Sequence, residues 1–503
     1  MHEDLHGRLA EVPTPEGAAA IETLDPDDWA AFRSLAHQVV DDTLDDMERL
    51  RARPVWRPTP PDLQAAFTTA APREGQGVEQ VYREFRETVA PYRMGNDHPR
   101  FWGWYMGNGS PVGALAAFLA AAMNSNLGGG NHVANEVEQQ VVGWCAEVVG
   151  LPEGSSGLLT SGASMANLIG LAVARQVHAP VDVRSAGLRA QPAEMVVYAS
   201  RETHSCNQRA VELFGLGNRS YRKIEVGADY RLELPALERA IAEDRSAGRT
   251  PYCVIGNAGT INTGAVDDLA AIADVCSREG LWFHVDGAIG AMAGLAPRLR
   301  PLLRGIERAD SVALDLHKWM HVPFEAGVAL VRPATEHRLT FTLTPDYLEH
   351  SVRGLAGGDV WFSDLGPQLS REFKALKAWM AFKTHGFDLY GRLMQRNVDQ
   401  AEYLAERVER EPELELMAPV GLNIVCFRAV PAALDERSRD RLNRELLVLL
   451  QESGVAVPSY TTLNGRYCLR VAISNHRTRT EDLDLLLDTV LELMPHAASA
   501  VAA

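Results

Sequence analysis

Side chains that could carry chemistry follow three apolar segments of the sequence, and a turn of small residues follows a fourth. Asp286 ends LWFHVD (281–286), Lys318 follows SVALDLH, and His204 follows MVVYASRET. The turn TSGAS (160–164) joins a strand-like segment to a helical one. Taken singly, each has an ordinary structural explanation, since such turns cap helices and lysines snorkel to water. All four groups follow strand-like segments, so we expect them at one edge of a sheet, and four such groups together indicate a binding site.

Together these groups match the needs of pyridoxal 5'-phosphate. That cofactor requires a lysine amine for its imine, an acid beside its ring nitrogen, and donors for its phosphate. Lys318 and Asp286 supply the first two, and backbone N–H groups at the start of a helix suit a phosphate dianion. The imidazole of His204, lying on the ring face, would fix the plane of the cofactor. We therefore expect Lys318 to face a ligand rather than a core.

The segments that must position these groups predict an α/β fold. The candidate strands are 157–160, 195–199, 252–258, 281–286, 311–315 and 327–332. Amphipathic helical stretches lie between several of them. Strands interleaved with helices imply a mostly parallel sheet that is covered on both faces. In such sheets ligands bind at the carboxyl ends of the strands.

Changes of pattern along the chain predict three regions. Residues 1–95 are an N-terminal helical arm, residues 96–386 form the large α/β domain, and residues 387–503 form a small C-terminal α+β domain. In the last region the predicted helices are 388–410, 436–453 and one from about 480, followed by a frayed tail at 495–503.

Composition excludes several classes of function. The chain has 503 residues, of which 46% are hydrophobic and 23% charged, as in soluble globular proteins. The formal charge of −17 argues against non-specific nucleic-acid binding. No apolar run reaches the roughly 18–20 residues that span a bilayer, and the start does not resemble a signal peptide, so we expect a cytoplasmic protein. The six cysteines are scattered singly, so we expect neither a disulfide framework nor a metal site.

From about residue 90 onwards the sequence resembles the group II pyridoxal-phosphate-dependent amino acid decarboxylases, which include aromatic-L-amino-acid, histidine and glutamate decarboxylases. HVDGAIG (284–290) is similar to the family's ring-nitrogen aspartate motif, and DLHKW (315–319) to its lysine motif. THS (203–205) is similar to the motif of the ring-stacking histidine, and SGASMAN (161–167) to the phosphate-binding turn. The resemblance implies fold type I of the pyridoxal-phosphate enzymes, the aspartate aminotransferase-like fold.

The resemblance also implies a role for each site residue. Lys318 would form the internal aldimine, and Asp286 would pair with the pyridinium. The further cofactor contacts that it implies are His204 and Ala288 on the two ring faces, Ala163 and Ser164 at the phosphate, Thr260, and His317 beside the lysine. Asp315 departs from the asparagine of the animal aromatic decarboxylases. An anion beside a phosphate dianion is repulsive unless a proton or a water intervenes.

A loop motif bears on the fate of the bound amino acid. LTPDYLEH (343–350) is similar to the mobile catalytic loop of the aromatic decarboxylases. The resemblance implies that Tyr347 protonates the carbanion left by loss of CO2, while the closed loop excludes water. The catalytic set is therefore Lys318, His204, Tyr347 and Asp286. Some relatives are aldehyde synthases in which this tyrosine is replaced, so Tyr347 favours plain decarboxylation.

The segment DHPRFWGWYMGN (97–108) resembles the part of the family whose aromatic residues line the substrate side-chain pocket. We assign pocket roles to Trp104 and Phe101, since an aromatic pocket favours a flat, largely apolar side chain. Arg100 would suit an acidic substrate instead. Arg470, in YCLRVAISN, either binds a substrate carboxylate or braces the C-terminal domain.

The leading hypothesis is decarboxylation of an L-amino acid, with aromatic side chains favoured, to the amine and CO2. Four alternatives stay open: a decarboxylase of an acidic or diamino acid, a decarboxylating aldehyde synthase, a lyase of a phosphorylated amino alcohol, and a non-catalytic binding protein. The resemblance implies a homodimer with each active site at the subunit boundary. Neither nucleic acid nor membrane is an expected partner.

Overall fold

The computed structural model describes residues 22–343, 351–358 and 360–502. Its larger sheet has seven strands: β1 (Ser156–Thr160), β2 (Met195–Ser200), β3 (Tyr221–Ile224), β4 (Thr250–Asn257), β5 (Trp282–Asp286), β6 (Ser311–Asp315) and β7 (Gly327–Val331). Their order across the sheet is β1-β7-β6-β5-β4-β2-β3. The prediction of an α/β fold is confirmed.

The pairing of the strands is parallel except at one side of the sheet. β2, β3, β4, β5 and β6 pair in parallel, whereas β7 runs antiparallel to both β6 and β1. All six predicted strands are present. β3, with the sequence YRKI, was not predicted, because an edge strand with exposed polar residues carries little apolar signal.

Helices connect these strands and extend beyond them. They are α1 (Trp29–Glu48), α2 (Pro61–Ala66), α3 (Val78–Glu84), α4 (Pro111–Met123), α5 (Val133–Val149), α6 (Ala163–His178), α7 (Val183–Ala186), α8 (Ser205–Leu213), α9 (Leu234–Ser246), α10 (Leu269–Glu279), α11 (Ala334–Phe341), α12 (Ala375–His385), α13 (Phe387–Arg410), α14 (Glu436–Glu452) and α15 (Thr480–Ala502). No helix in the described ranges combines the length and the apolar character needed to cross a membrane.

A second sheet lies in the C-terminal part of the chain. Its strands are β8 (Leu414–Leu416), β9 (Ile424–Ala429), β10 (Ser459–Leu463) and β11 (Arg466–Ala472), all antiparallel and in the order β10-β11-β9-β8. The predicted helices correspond to α13, α14 and α15. The prediction of a frayed tail at 495–503 is wrong, because α15 continues to Ala502, and Ala497 within it is completely buried.

The middle strands bring the chemistry to one edge of the larger sheet. Every residue of β5 and β6 is buried, including the aspartates that end them, Asp286 and Asp315. The two strands are parallel neighbours, and Asp286 lies opposite Ala313. Lys318 follows three residues after the end of β6. Asp286 and Lys318 therefore lie close together at the carboxyl edge of the sheet, where such sheets bind ligands.

Candidate active site

A cavity of about 540 Å³ lies at this edge of the larger sheet. Its volume is in the usual range for sites that bind small molecules and cofactors. The predicted site residues that line it are Trp104, Ala163, Ser164, His204, Thr260, Asp286, Ala288, His317 and Lys318. The structure thus brings together the amine, the acid, the imidazoles and the start of α6.

Lys318 is held by the carboxylate that departs from the family pattern. Its Nζ lies 3.0 Å from Asp315 Oδ2. The other oxygen, Asp315 Oδ1, accepts a hydrogen bond of 2.6 Å from the backbone N–H of Ala163, the first residue of α6. Asp315 thus supplies a negative charge to both the ammonium group and the positive end of the helix.

Asp286 receives a hydrogen bond at each of its carboxylate oxygens. The backbone N–H of Ala288 donates to Oδ1 at 3.3 Å, and Asn207 Nδ2 donates to Oδ2 at 2.8 Å. Asn207 lies three residues after His204 in the first turn of α8, so the two side chains share one face of the helix. Asn207 was not among the predicted site residues, although its spacing from His204 was a usable signal.

The two imidazoles of the cavity have defined proton positions. The backbone N–H of Cys206 donates to His204 Nδ1, and that of Ala326 donates to His317 Nδ1, each at 3.2 Å. Because a backbone N–H can only donate, each ring accepts at Nδ1. Burial lowers the pKa of both His204 and His317. Both rings are therefore neutral near pH 7 and carry their proton on Nε2.

Aromatic side chains form one wall of the cavity. Trp104 and Tyr105 both have left-handed backbones, with φ of 49° and 69°. Such conformations are strained for large side chains and persist where the surroundings enforce them. Trp104 stays 47% exposed on the cavity, and Phe324, 51% exposed, contributes a second ring, 4.5 Å from that of His317. Both rings add apolar surface to the lining of the cavity, and these two residues are its aromatic wall.

Two residues predicted to bind substrate do not line the cavity. Phe101 is buried and packs with Val457 behind the aromatic wall, where its ring centre lies 6.2 Å from that of Trp104. In a segment rich in aromatic residues, some side chains line a cavity and others lie in the core. The spacing of the residues alone does not show which are which. Phe101 therefore supports Trp104 from behind.

Arg470 also lies away from the cavity. Its Nε donates to the carbonyl of Asn262 at 3.1 Å, and its Nη1 donates to Ser459 Oγ at 3.2 Å. The first contact joins β11 to the loop that carries Thr260, which does line the cavity, and the second joins β11 to β10. Of the two roles left open by the sequence, the geometry favours bracing. Tyr347, the predicted proton donor, lies outside the described residues.

The donor set fits pyridoxal 5'-phosphate. Lys318 can hold its aldehyde carbon, and Asp286 can hold its ring nitrogen. Ser164 at the start of α6 and the Nε2–H of His317 offer donors to a phosphate group, whereas the N–H of Ala163 already donates to Asp315.

Comparison with known proteins gives the same family from sequence and from structure. The family model described as pyridoxal-dependent decarboxylase conserved domain matches residues 60–430. An aromatic-L-amino-acid decarboxylase of Bacillus atrophaeus is 34% identical over 90% of this chain and 93% of its own length. A phenylacetaldehyde synthase of Arabidopsis thaliana is 30% identical, with 90% and 93% covered.

A solved structure of Oryza sativa TDC with PLP and tryptamine superimposes with a TM-score of 0.86 and 28% identity, covering 94% of this chain and all of that one. Sequence, cavity and fold agree on the cofactor and on the class of reaction. The chain belongs to the pyridoxal-dependent decarboxylase family and is a pyridoxal 5'-phosphate-dependent amino acid decarboxylase.

Proposed function

We propose that the enzyme decarboxylates an aromatic L-amino acid, releasing CO2 and the corresponding amine, with a proton replacing the carboxylate at Cα. The observation that carries this proposal is that the rings of Trp104 and Phe324 line the same cavity as Lys318 and Asp286. A flat side chain gains apolar contact against such rings. The amino group of the same substrate would reach the floor of the cavity.

The charges of the cavity argue against an acidic substrate. Among the described residues that line it, Lys318 is the only lysine or arginine, and it is already paired with Asp315. Glu325 adds a further carboxylate to the lining. Arg100, the cation that suggested an acidic side chain, donates to the carbonyl of Val455 and lies 3.7 Å from Asp482 instead.

We assign the work of the site to the residues of the cavity floor. Pyridoxal phosphate, when bound, supplies a ring that accepts the electrons released as the carboxylate departs. Lys318 would hold the cofactor covalently, and Asp286 would keep its ring nitrogen protonated. The neutral ring of His204 would contact the cofactor ring, and its Nε2–H would be available to orient a substrate carboxylate. Ser164, at the start of α6, and His317 would hold the phosphate.

An aldehyde synthase is the second candidate, because the Arabidopsis relative is named for that activity. The two outcomes differ in the products, since the synthase reaction consumes oxygen and releases aldehyde, ammonia and hydrogen peroxide. Tyr347 favours the amine. Its role as proton donor rests on the sequence motif alone.

A substrate panel tests the proposal directly. Purified enzyme with cofactor is assayed with phenylalanine, tyrosine, DOPA, tryptophan, histidine and glutamate, and amine, aldehyde and peroxide are all measured. We expect amine from at least one aromatic substrate, with Lys318→Ala inactive. Turnover confined to glutamate would overturn the substrate class, and aldehyde with stoichiometric peroxide would favour the synthase.

We further propose that the enzyme is a homodimer. Helix α4 leaves apolar side chains uncovered, with Leu115 46%, Phe118 66% and Met123 53% exposed, and α1 buries none of its residues. Contiguous apolar surface of this kind is typical of protein interfaces. A second copy of the chain is the occupant that the family resemblance implies. Sedimentation velocity should give a dimer for the native chain and a monomer for Phe118→Glu; a monomeric native chain would contradict the proposal.

We also propose that the enzyme works in the cytoplasm. All six cysteines lie within the described residues as buried free thiols. Unpaired cysteines are typical of reducing compartments. Localisation of a fluorescent fusion would test this directly.

A further inference from the structure

We propose that Asn207 is a positioning residue that holds Asp286 in a fixed orientation toward the cofactor ring. The inference rests on the role proposed above for Asp286. Asn207 is fully buried, Asp286 is 5% exposed, and the amide donates to the carboxylate at 2.8 Å. Asn207 does not line the cavity, so it acts on the cofactor through other residues, and its shortest hydrogen bond is to Asp286.

The orientation of the amide follows from its surroundings. Asn207 Nδ2 also donates to the carbonyl of His204 at 3.4 Å, while its Oδ1 finds no partner among the described residues. Turning the amide over would place its oxygen against the Asp286 carboxylate and the His204 carbonyl. Both contacts would be repulsive. The donor therefore faces Asp286 even though the oxygen is left without a hydrogen bond.

The two hydrogen bonds on Asp286 come from different elements. Ala288 donates from the turn after β5, and Asn207 donates from α8. With one donor on each oxygen, the carboxylate cannot rotate about its Cβ–Cγ bond without losing both. The loop and the helix together fix the plane of the acid.

The fixed orientation matters for the ring nitrogen of a bound cofactor. A carboxylate whose plane is held can keep an oxygen directed at that nitrogen, and such an acceptor stabilises a proton on the ring. Without the Asn207 hydrogen bond the Asp286 side chain could turn away. The ring would then be a weaker electron acceptor.

The test replaces the donor without changing the volume greatly. In Asn207→Leu the amide is lost, and Gln208→Ala on the same helix serves as the control, since Gln208 is partly exposed, does not line the cavity and bonds only Glu212 among the described residues. Each variant is loaded with [15N]pyridoxal 5'-phosphate, and the ring-nitrogen chemical shift is followed against pH, together with cofactor affinity and kcat. Asp286→Asn is measured as the benchmark.

For Asn207→Leu we expect the ring-nitrogen signal to move toward the unprotonated value and kcat to fall by about tenfold or more, the effect of losing a hydrogen bond to a charged group. Gln208→Ala should match the native enzyme. The inference would be overturned if the Asn207→Leu enzyme had the native ring-nitrogen signal and pH profile. In that case, a changed signal in Asp286→Asn would still leave the proposed function standing. If Asp286→Asn also gave the native signal, the proposed function itself would fail.

A second variant keeps the test decisive if the leucine variant does not fold. Asn207→Asp preserves the volume and replaces the donor by an acceptor. We expect a perturbed ring-nitrogen signal whose pH dependence differs from that of the native enzyme, because two carboxylates would share one site. A native pH dependence in this variant would contradict the inference.

Discussion

Asp286 and Lys318 owe their positions to the ends of two buried strands. Asp286 is the last residue of β5, and Lys318 follows three residues after the end of β6. Because β5 and β6 are parallel neighbours, their ends meet, and the two groups face one cavity. This much could be predicted from the sequence, since apolar runs locate strands and strand ends locate ligands. The contacts of Asp286 could not, because Asn207 comes from a helix that begins 81 residues before that acid.

Gly107 shows how closely the aromatic wall approaches the lysine turn. A Cβ at this position would overlap the backbone carbonyl oxygen of His317, next to Lys318. We expect Gly107→Ala to push the two segments apart and to weaken cofactor binding by at least tenfold, measured by absorbance titration. Gly143→Ala is the control: its Cβ meets nothing within 4 Å in helix α5. It should bind cofactor normally and be slightly more stable, because alanine favours a helix.

At the scale of elements, the start of α6 is held in place by buried charges. Glu138 in α5 accepts from the backbone N–H of Leu159 in β1 and from Arg371, whose guanidinium also donates to the carbonyls of Leu159 and Leu127. Both side chains are almost fully buried. The pair therefore ties α5 and β1 together immediately before the turn that leads into α6.

Arg371→Met should lower the free energy of unfolding by roughly 3–5 kcal/mol, because it leaves the Glu138 carboxylate buried without its counter-charge. Burial already raises the pKa of Glu138. The double variant Glu138→Leu/Arg371→Met should recover part of the loss. Urea unfolding of Glu138→Leu, Arg371→Met and the double variant measures both effects. A double variant whose loss equals the sum of the single losses would mean that the two charges are not coupled.

The helices and strands also show which elements sequence patterns can predict and which they cannot. Long amphipathic helices such as α13 were predicted within a residue, since their period is strong. The edge strand β3 and the short strands β8 and β10 were missed, because pairing rather than composition defines them. Arg470 was assigned from a motif, and its contacts with Asn262 and Ser459 depend on how the second sheet packs against the Thr260 loop.

At the scale of the whole molecule, buried histidines link stability to pH. Burial lowers the pKa of four of them to about 4: His98, His284, His337 and His476. In the unfolded chain each takes up a proton near pH 6.5. Between these values the unfolded chain binds more protons than the folded one, so the free energy of unfolding must fall as the pH decreases. Above about pH 6.5 this contribution is constant.

The urea midpoint should therefore change little between pH 8 and 7 and then decrease between pH 6.5 and 5. His337→Gln removes one of the four groups and should make that decrease shallower. A midpoint that stays constant from pH 7 to pH 5 would show that these histidines are protonated in the folded state.

The division into an arm, a large domain and a small domain at residues 95 and 386 stays a proposal. The two sheets suit such a division, but the boundaries themselves are not defined by strand pairing. Exposed apolar residues on α1 and α4 could not have been recognised from composition, because exposure depends on which faces the rest of the chain covers.

The most direct test concerns the amine at position 318. Purified enzyme is incubated with pyridoxal 5'-phosphate, reduced with sodium borohydride, digested, and mapped by mass spectrometry. We predict that the phosphopyridoxyl mass appears on the peptide containing Lys318 and disappears in Lys318→Ala. A label on another lysine, or an unlabelled Lys318 peptide in enzyme that turns over an amino acid, would contradict the account.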